Sequence, residues 1–200
     1  MKKPAYLFYR AARPMLSWMF LLAFRPEIQN THNIPRQGGV VLAGNHKNSL
    51  DPCLIALSTK RVVRFLAKKE LHQGAFRFFF KGMATVPVDR GKKDATVMET
   101  TVGALKSGEI VSLFPEGTRN RTREMLLPFK FGAVSMAQRS GCYVVPFAIT
   151  GQYRLFRKGL RICFGEPLDV TNVEITEANQ MLQEEVKKLM KKDGGAYDLS

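Results

Sequence analysis

A histidine and an aspartate flank one tight turn in the sequence GNHKNSLDP, residues 44–52. The apolar run VVLAG leads into this turn, so His46 follows the end of a predicted strand. Asp51 precedes Pro52, and this pair favours the start of a helix with Asp51 as its N-cap. A carboxylate that folds back onto one imidazole nitrogen fixes the tautomer and leaves the other nitrogen able to accept a proton. The turn therefore predicts a general base, His46, oriented by Asp51.

The same turn has a purely structural interpretation. Asp51 would only cap the helix and His46 would only hydrogen-bond the loop, because His-x-x-x-x-Asp is a loose pattern. The spacing alone does not decide between these two interpretations.

Basic loops follow three other predicted strands. One reads FPEGTRNRTR, residues 114–123, and the others carry cations at residues 68–69 and 90–93. Glycine lets the backbone approach a ligand closely and arginine presents a planar fork of donors, so these loops suit a phosphate. We expect them to lie with His46 along one edge of a sheet. The structural alternative is a solvated loop whose arginines pair with Glu116 and Glu124.

Apolar runs and helical patterns alternate along the chain. Strands are predicted at residues 40–44, 62–67, 84–88, 109–114, 143–149 and 160–165, after a polar linker at residues 26–39. Helices are predicted at residues 52–58, 70–82, 92–108, 130–141 and 170–195, the last with a capping box from Thr171 to Glu174. This order predicts a single α/β domain, residues 29–200, with a mixed, largely parallel sheet flanked by helices.

Residues 1–28 mix aromatic and basic side chains. Their apolar run, residues 15–24, is about half of the ~20 residues that span a bilayer, and no cleavage signal follows. We predict a membrane-interfacial anchor of two helical pieces bent near Pro14. The side chains expected in the lipid are Tyr6, Phe8, Tyr9, Trp18, Phe20 and Phe24, with Lys2, Lys3, Arg10, Arg13 and Arg25 at lipid phosphates. The alternative is a helix packed on the domain's own core.

The overall charge indicates an anionic partner. Lys and Arg number 31 against 17 Asp and Glu, a formal net charge of +14. A phospholipid surface, an acidic substrate or carrier, and a nucleic acid all satisfy this charge. No recognition-helix or stacking-aromatic motif supports a nucleic acid.

The three cysteines, Cys53, Cys142 and Cys163, are far apart and form no Cys-x-x-Cys pair. Their apolar surroundings favour reduced, buried thiols, and the histidines do not fall at zinc-ligand spacing. We therefore expect no metal, and we disfavour Cys53 as a nucleophile.

Four blocks occur in the order typical of one family. NHKNSLD at 45–51, VPVDRG at 86–91, FPEGTR at 114–119 and VVPFAI at 144–149 resemble the lysophosphatidic acid acyltransferase (1-acyl-sn-glycerol-3-phosphate acyltransferase) family of the glycerolipid acyltransferase superfamily. The first block is its HX4D motif, and Pro146 falls in its fourth block. The resemblance implies that His46 is the catalytic base and Asp51 its partner. The substrate-binding residues that it implies are Lys68, Arg90, Glu116, Gly117, Thr118 and Arg119.

The resemblance also implies a reaction. An acyl group would pass from acyl-CoA or acyl carrier protein to the sn-2 hydroxyl of lysophosphatidic acid, giving phosphatidic acid for phospholipid biosynthesis without a cofactor. It implies a peripheral or monotopic protein at the cytoplasmic face of the cell membrane. Another lysophospholipid or a glycerol phosphate is an alternative acceptor. A noncatalytic basic membrane-binding module is an alternative of a different class, and it would have no use for His46.

Overall fold

The computed structural model describes residues 6–72, 85–88 and 95–192. Within these residues the strands are β1 (Glu27–Gln29), β2 (Val40–Gly44), β3 (Val63–Lys68), β4 (Val86–Val88), β5 (Ile110–Leu113), β6 (Tyr143–Thr150) and β7 (Arg161–Phe164). The α-helices are α1 (Leu7–Phe24), α2 (Asp51–Leu57), α3 (Ala95–Lys106), α4 (Gly132–Ser140) and α5 (Ile175–Lys192). Single 3-10 turns occur at Thr31–Asn33 and Lys69–His72.

The strands form one sheet in the order β1-β7-β6-β2-β5-β3-β4. Strands β2 to β6 are mutually parallel, β7 is antiparallel to β6, and β1 is parallel to β7. The predicted mixed, largely parallel sheet is therefore confirmed. Because the carboxyl ends of parallel strands open on the same edge, the loops after β2, β3, β5 and β6 share that edge. The turn after β2 lies between the loops after β5 and β6.

Strand β2 is buried at every position, and its alternate residues enter two separate cores. Val41 and Ala43 belong to the core that includes buried residues of α4 and α5, whereas Val40 and Leu42 face the core beneath α1 and α2. This division follows from the two-residue period of a strand. Since a sheet covered on both faces needs apolar side chains on both, the continuous run VVLAG was a reliable strand signal.

Helix α1 packs one face on the domain. It is one continuous helix with Pro14 inside it, so the prediction of two helical pieces is wrong. Tyr9 and Phe20 are buried, and the Arg13 Nε donates to the Ala56 carbonyl near the end of α2 at 3.1 Å. Tyr6 donates to Glu109 Oε2 at 2.8 Å. These four side chains were predicted to contact lipid, and they contact protein instead.

The opposite face of α1 is exposed and apolar. At ~100° per residue its large exposed side chains fall within about 160° of arc. They are Leu7, Phe8, Met15, Trp18, Met19, Leu21 and Leu22. Among the described helices, none is both long enough and apolar enough to cross a membrane.

Other local predictions need correction. Residues 27–29 were predicted as linker, yet they form β1 beside β7. Helix α5 begins at Ile175, and the Glu174 carboxylate accepts the N–H groups of Thr176 and Glu177 at 2.7 and 3.0 Å. The capping box from Thr171 was therefore placed too early. The predicted helix at 70–82 begins as a 3-10 turn and then lies outside the described residues.

Gly44 offers a test of how closely β2 and β6 approach beside the turn. A Cβ at this position would lie 2.1 Å from the Phe147 carbonyl oxygen of β6. We expect Gly44→Ala to lower the free energy of unfolding by about 1–3 kcal/mol, because the two backbones must separate. Urea denaturation measures the change.

The matched control is Gly103→Ala in α3, where a Cβ would meet no atom within 4 Å. Alanine there should stabilise the helix by about 0.5–1 kcal/mol. Equal stability of the two variants would contradict the close approach of β2 and β6.

Candidate active site

His46 and Asp51 are hydrogen-bonded across the turn that follows β2. The His46 Nδ1 lies 2.9 Å from Asp51 Oδ2, as predicted for a base oriented by this carboxylate. The same carboxylate oxygen accepts the backbone N–H groups of Lys47 and Asn48, each at 2.8 Å. Asp51 has no exposed surface and His46 is 8% exposed. The turn therefore folds around a buried carboxylate.

Asp51 does not cap the helix that it begins. It is the first residue of α2, and the N-cap position belongs to Leu50, which makes no side-chain cap bond. Its carboxylate points back to the preceding loop, where its partners are His46, Lys47 and Asn48. The helix-capping interpretation of Asp51 is therefore wrong.

Tyr153 completes the surroundings of the carboxylate. It lies on the loop after β6, and its hydroxyl donates to Asp51 Oδ1 at 2.6 Å. Burial, followed by the negative charge of Asp51, raises the pKa of Tyr153, so the phenol stays protonated and donates. Its ring contacts Phe24 and Phe20 of α1 edge-on, at centroid distances of 5.6 and 6.3 Å.

Tyr153 was not predicted from the sequence. No spacing relates it to the turn, since it is 102 residues from Asp51 along the chain. The available signal was topological: Tyr153 follows a buried apolar strand by three residues, as His46 follows β2 by two. Only the adjacency of β2 and β6 brings the two strand ends together.

The hydrogen bonds determine the tautomer of His46. Asp51 accepts two backbone N–H groups and one phenol, so its fourth contact, with Nδ1, is also one in which the carboxylate accepts. The proton therefore resides on Nδ1 and the lone pair on Nε2. No group in the described part of the chain bonds Nε2. Phe114 stacks on the imidazole with centroids 3.9 Å apart and planes 12° apart, which fixes the ring's orientation.

The FPEGTR block supports the NHKNSLD block through the backbone. Glu116, buried after β5, accepts the His46 N–H at 2.7 Å and the Leu127 N–H at 3.0 Å. Burial raises the pKa of Glu116, and these two N–H donors oppose that shift. Asn120 in turn donates its N–H to the His46 carbonyl at 2.7 Å. A substrate-binding role for Glu116 stays a prediction, since the contacts of its carboxylate that the structure shows are with the main chain.

Gly117 allows the loop after β5 to make a turn. Its φ of +72° lies in the left-handed region, and a Cβ would meet the Lys130 Nζ at 2.7 Å. Thr118 and Arg119 follow, both exposed at the carboxyl edge of the sheet. Across the described residues, no ion pair joins Arg119, Arg121 or Arg123 to Glu116 or Glu124. The alternative in which the arginines of this loop pair with Glu116 and Glu124 is therefore wrong for the described contacts.

Two predicted substrate-binding residues, Lys68 and Arg90, remain to be located. Lys68 ends β3 beside Val88 of β4, on the same edge as His46 and separated from β2 by β5. Arg90 lies outside the described residues.

Cys142 and Cys163 are buried as predicted, but Cys53 is exposed, which corrects its assignment to the core. In the described residues, no group of three or more His, Cys, Asp or Glu side chains is arranged to hold a metal ion.

Comparison with known proteins identifies the class. The sequence matches the Acyltransferase family over residues 25–150. It is 34% identical to the 1-acyl-sn-glycerol-3-phosphate acyltransferase of Bacillus subtilis over 148 residues, 71% of this chain and 73% of that protein. The enzyme of the same name from Borreliella burgdorferi is 26% identical over 159 residues, 78% of this chain and 62% of that protein.

A solved structure supports the fold. The crystal structure of the 1-acyl-sn-glycerophosphate acyltransferase PlsC from Thermotoga maritima aligns with a TM-score of 0.72 at 21% identity, over 92% of this chain and 81% of that one. The resemblance carried by the four sequence blocks is confirmed. This chain is an acyltransferase enzyme and belongs to the family of the 1-acyl-sn-glycerol-3-phosphate acyltransferases.

Tyr153 should act by positioning Asp51. We expect Tyr153→Phe to lower kcat roughly 10-fold, since a hydrogen bond to a charged group contributes about 1.5–3 kcal/mol. The acceptor KM should change little, because the phenyl ring keeps its contacts with α1. Steady-state kinetics with both substrates measures this difference between kcat and KM.

Two further variants make the test specific. Tyr143→Phe, at an exposed tyrosine that begins β6, should leave kcat unchanged. In an Asp51→Asn background Tyr153→Phe should cost much less than in the unmodified protein, because its partner is already altered. An unchanged kcat for Tyr153→Phe alone would exclude the positioning role.

Proposed function

We propose that this protein transfers an acyl group from an acyl thioester to the sn-2 hydroxyl of 1-acyl-sn-glycerol-3-phosphate, giving phosphatidic acid. The observation that carries the proposal is a histidine whose Nε2 lone pair is aimed by a buried carboxylate at the carboxyl edge of the sheet. The names of the similar proteins support the acceptor. The chain spans 73% and 62% of the two relatives described above, so its substrates and partners are part of the proposal.

The arrangement supports direct transfer. His46 Nε2 accepts the hydroxyl proton as that oxygen attacks the thioester carbonyl, and Asp51 stabilises the imidazolium that forms. When the tetrahedral intermediate collapses, the carbon–sulfur bond breaks and the thiolate takes the proton from His46. General base catalysis contributes roughly 10²- to 10⁴-fold, and alignment of the two substrates supplies much of the remainder.

Cations at the same edge suit the phosphate of the acceptor. Arg119 is exposed after β5, and Lys68 ends β3. We propose that they bind this phosphate together with Arg90, the residue that matches the family's arginine. The acyl donor is acyl-CoA or acyl carrier protein, since both are acidic and the chain carries a net charge of +14.

A noncatalytic membrane-binding module explains the site less well. A buried carboxylate is costly unless donors compensate it, and here four donors surround Asp51 without capping α2. Their common effect is to orient one imidazole. A protein that only bound membranes would gain nothing from that orientation.

We further propose that α1 lies in the membrane interface at the cytoplasmic face of the cell membrane. Met15, Trp18 and Leu22 are 61%, 67% and 55% exposed on its outer face. Soluble proteins rarely expose so many large apolar side chains together. No acidic residue precedes Glu27, so the helix also suits an anionic surface.

His46→Ala tests the catalytic proposal. We expect acyl transfer to fall at least about 100-fold while binding to phospholipid vesicles persists, because the imidazole is needed only for proton transfer. The assay offers acyl-CoA and acyl carrier protein separately, with lysophosphatidic acid and with monoacylglycerol as the phosphate-free acceptor.

The control is His32→Ala, at an exposed histidine in the Thr31–Asn33 turn, which should keep full turnover. A His46→Ala protein that keeps most of its turnover would refute the general base. Equal use of lysophosphatidic acid and monoacylglycerol would refute the phosphate-bearing acceptor.

Membrane contact by α1 is tested by substitution, because deletion would uncover the core around Tyr9 and Phe20. We expect the triple change Met15→Ser, Trp18→Ser and Leu22→Ser to reduce co-sedimentation with vesicles of phosphatidylglycerol and phosphatidylcholine at least about 10-fold. Tyr143→Ser, at an exposed aromatic residue remote from α1 in the chain, should bind as the unmodified protein does. Undiminished sedimentation of the triple variant would contradict the interfacial position of α1.

A further inference from the structure

The loop after β6, residues 151–159, exposes two large apolar side chains at its tip. Leu155 and Phe156 are 63% and 67% exposed. Phe156 has a φ of +59°, a conformation that costs an aromatic residue energy. The loop thus holds an exposed phenylalanine in an unfavourable backbone geometry.

The tip is attached to the end of α1. The Phe156 N–H donates to the Ala23 carbonyl at 2.5 Å. This carbonyl belongs to the last turn of α1, and its neighbour Leu22 is among the exposed side chains of the outer face. The ring of Tyr153, at the base of the loop, contacts Phe24 in the same turn of the helix. The loop tip therefore lies directly beside the apolar face of α1.

Charge favours a lipid partner for the tip. Arg154, Arg157 and Lys158 flank Leu155 and Phe156, and residues 151–159 contain no acidic side chain. Apolar side chains ringed by cations match a bilayer with anionic headgroups, where the former enter the acyl region and the latter meet phosphates. Helix α1 carries the same combination, also without an acidic residue.

We propose that the 151–159 loop is a second membrane-contact element, which inserts Leu155 and Phe156 into an anionic phospholipid surface beside α1. This inference rests on the proposed function, because a lysophospholipid acceptor resides at such a surface. It adds a partner for a loop that none of the four family blocks includes.

The same loop is tied to the catalytic turn at its base. Tyr153 donates to Asp51, and the Lys47 ammonium donates to the Gly151 carbonyl. A loop seated in the bilayer would therefore hold the turn with His46 close to the headgroups. This places the catalytic edge where the acceptor hydroxyl is presented.

The test uses the full chain with Leu155→Ser and Phe156→Ser combined. We expect its partition onto vesicles of phosphatidylglycerol and phosphatidylcholine to weaken at least about 10-fold, and turnover of a long-chain acceptor in those vesicles to fall in parallel. Turnover of a short-chain acceptor dissolved as monomers should stay close to that of the unmodified protein, because neither side chain bonds the turn. The control is Tyr143→Ser.

Undiminished vesicle partition by the loop variant, while the α1 variant loses it, would overturn the inference and leave the proposed function intact. Loss of short-chain turnover would overturn it by assigning the loop tip to the fold or the site. Equal partition of the unmodified protein onto phosphatidylcholine alone would refute the anionic surface. A change in oligomeric state by light scattering with unchanged partition would identify the tip as a contact between copies.

An absence of acyl transfer in every assay by the unmodified protein would refute the proposed function. Vesicle partition of the loop variant is measured without turnover, so the two failures are distinguishable.

Discussion

The Asp51 carboxylate is the group on which the site depends. It is fully buried and receives four donors: one imidazole, two backbone N–H groups and one phenol. Each donor comes from a part of the chain that must be in place before the carboxylate is satisfied. Because an unpaired buried carboxylate is costly, the fold can tolerate Asp51 only when the turn and the loop after β6 are correctly assembled. The hydrogen bonds to Asp51 that stabilise this turn also fix the orientation of His46.

The strand order explains why those donors meet. Strand β2 lies between β5 and β6, so the loop on one side supplies Glu116 and the loop on the other supplies Tyr153. Glu116 holds the backbone of His46, whereas Tyr153 holds the side chain of Asp51. The two neighbouring loops thus constrain the turn from opposite sides. Asn45 adds a third constraint, since its amide exchanges hydrogen bonds with both backbone groups of Ile149 in β6.

Helix α1 contacts both the domain and, at its last turn, the loop next to the catalytic edge. Its inner face contacts the domain through Tyr9, Phe20 and the Arg13 guanidinium, so it is part of the fold. Its outer face is apolar, and its last turn contacts both Tyr153 and the Phe156 backbone. The core-helix interpretation of the N-terminus describes the inner face of α1, and the proposed interfacial position concerns its outer face. If α1 lay on a membrane, the loop after β6 would therefore lie at the same surface.

The sequence by itself determined strands β2 to β7 and helices α2 to α5, and it predicted the pairing of His46 with Asp51. These features depend on local periodicity, on turn chemistry and on a spacing of five residues, all of which a sequence displays directly. It also indicated the family, because four blocks appear in order. Tertiary structure decided which groups surround Asp51. Tyr153 lies 102 residues away from it, and only parallel pairing of β2 with β6 makes them neighbours.

Tertiary structure also decided the contacts of side chains whose types allow several. Glu116 has the chemistry of a ligand-binding residue, yet its carboxylate contacts the backbone of His46 and Leu127. Tyr9 and Phe20 are residue types typical of a membrane anchor, yet they are buried in the domain. Amphipathic patterns show that a helix has apolar faces, but they do not show whether protein or lipid covers each one. The physical reason is that such contacts depend on which surfaces the completed sheet presents, and a local pattern does not contain that information.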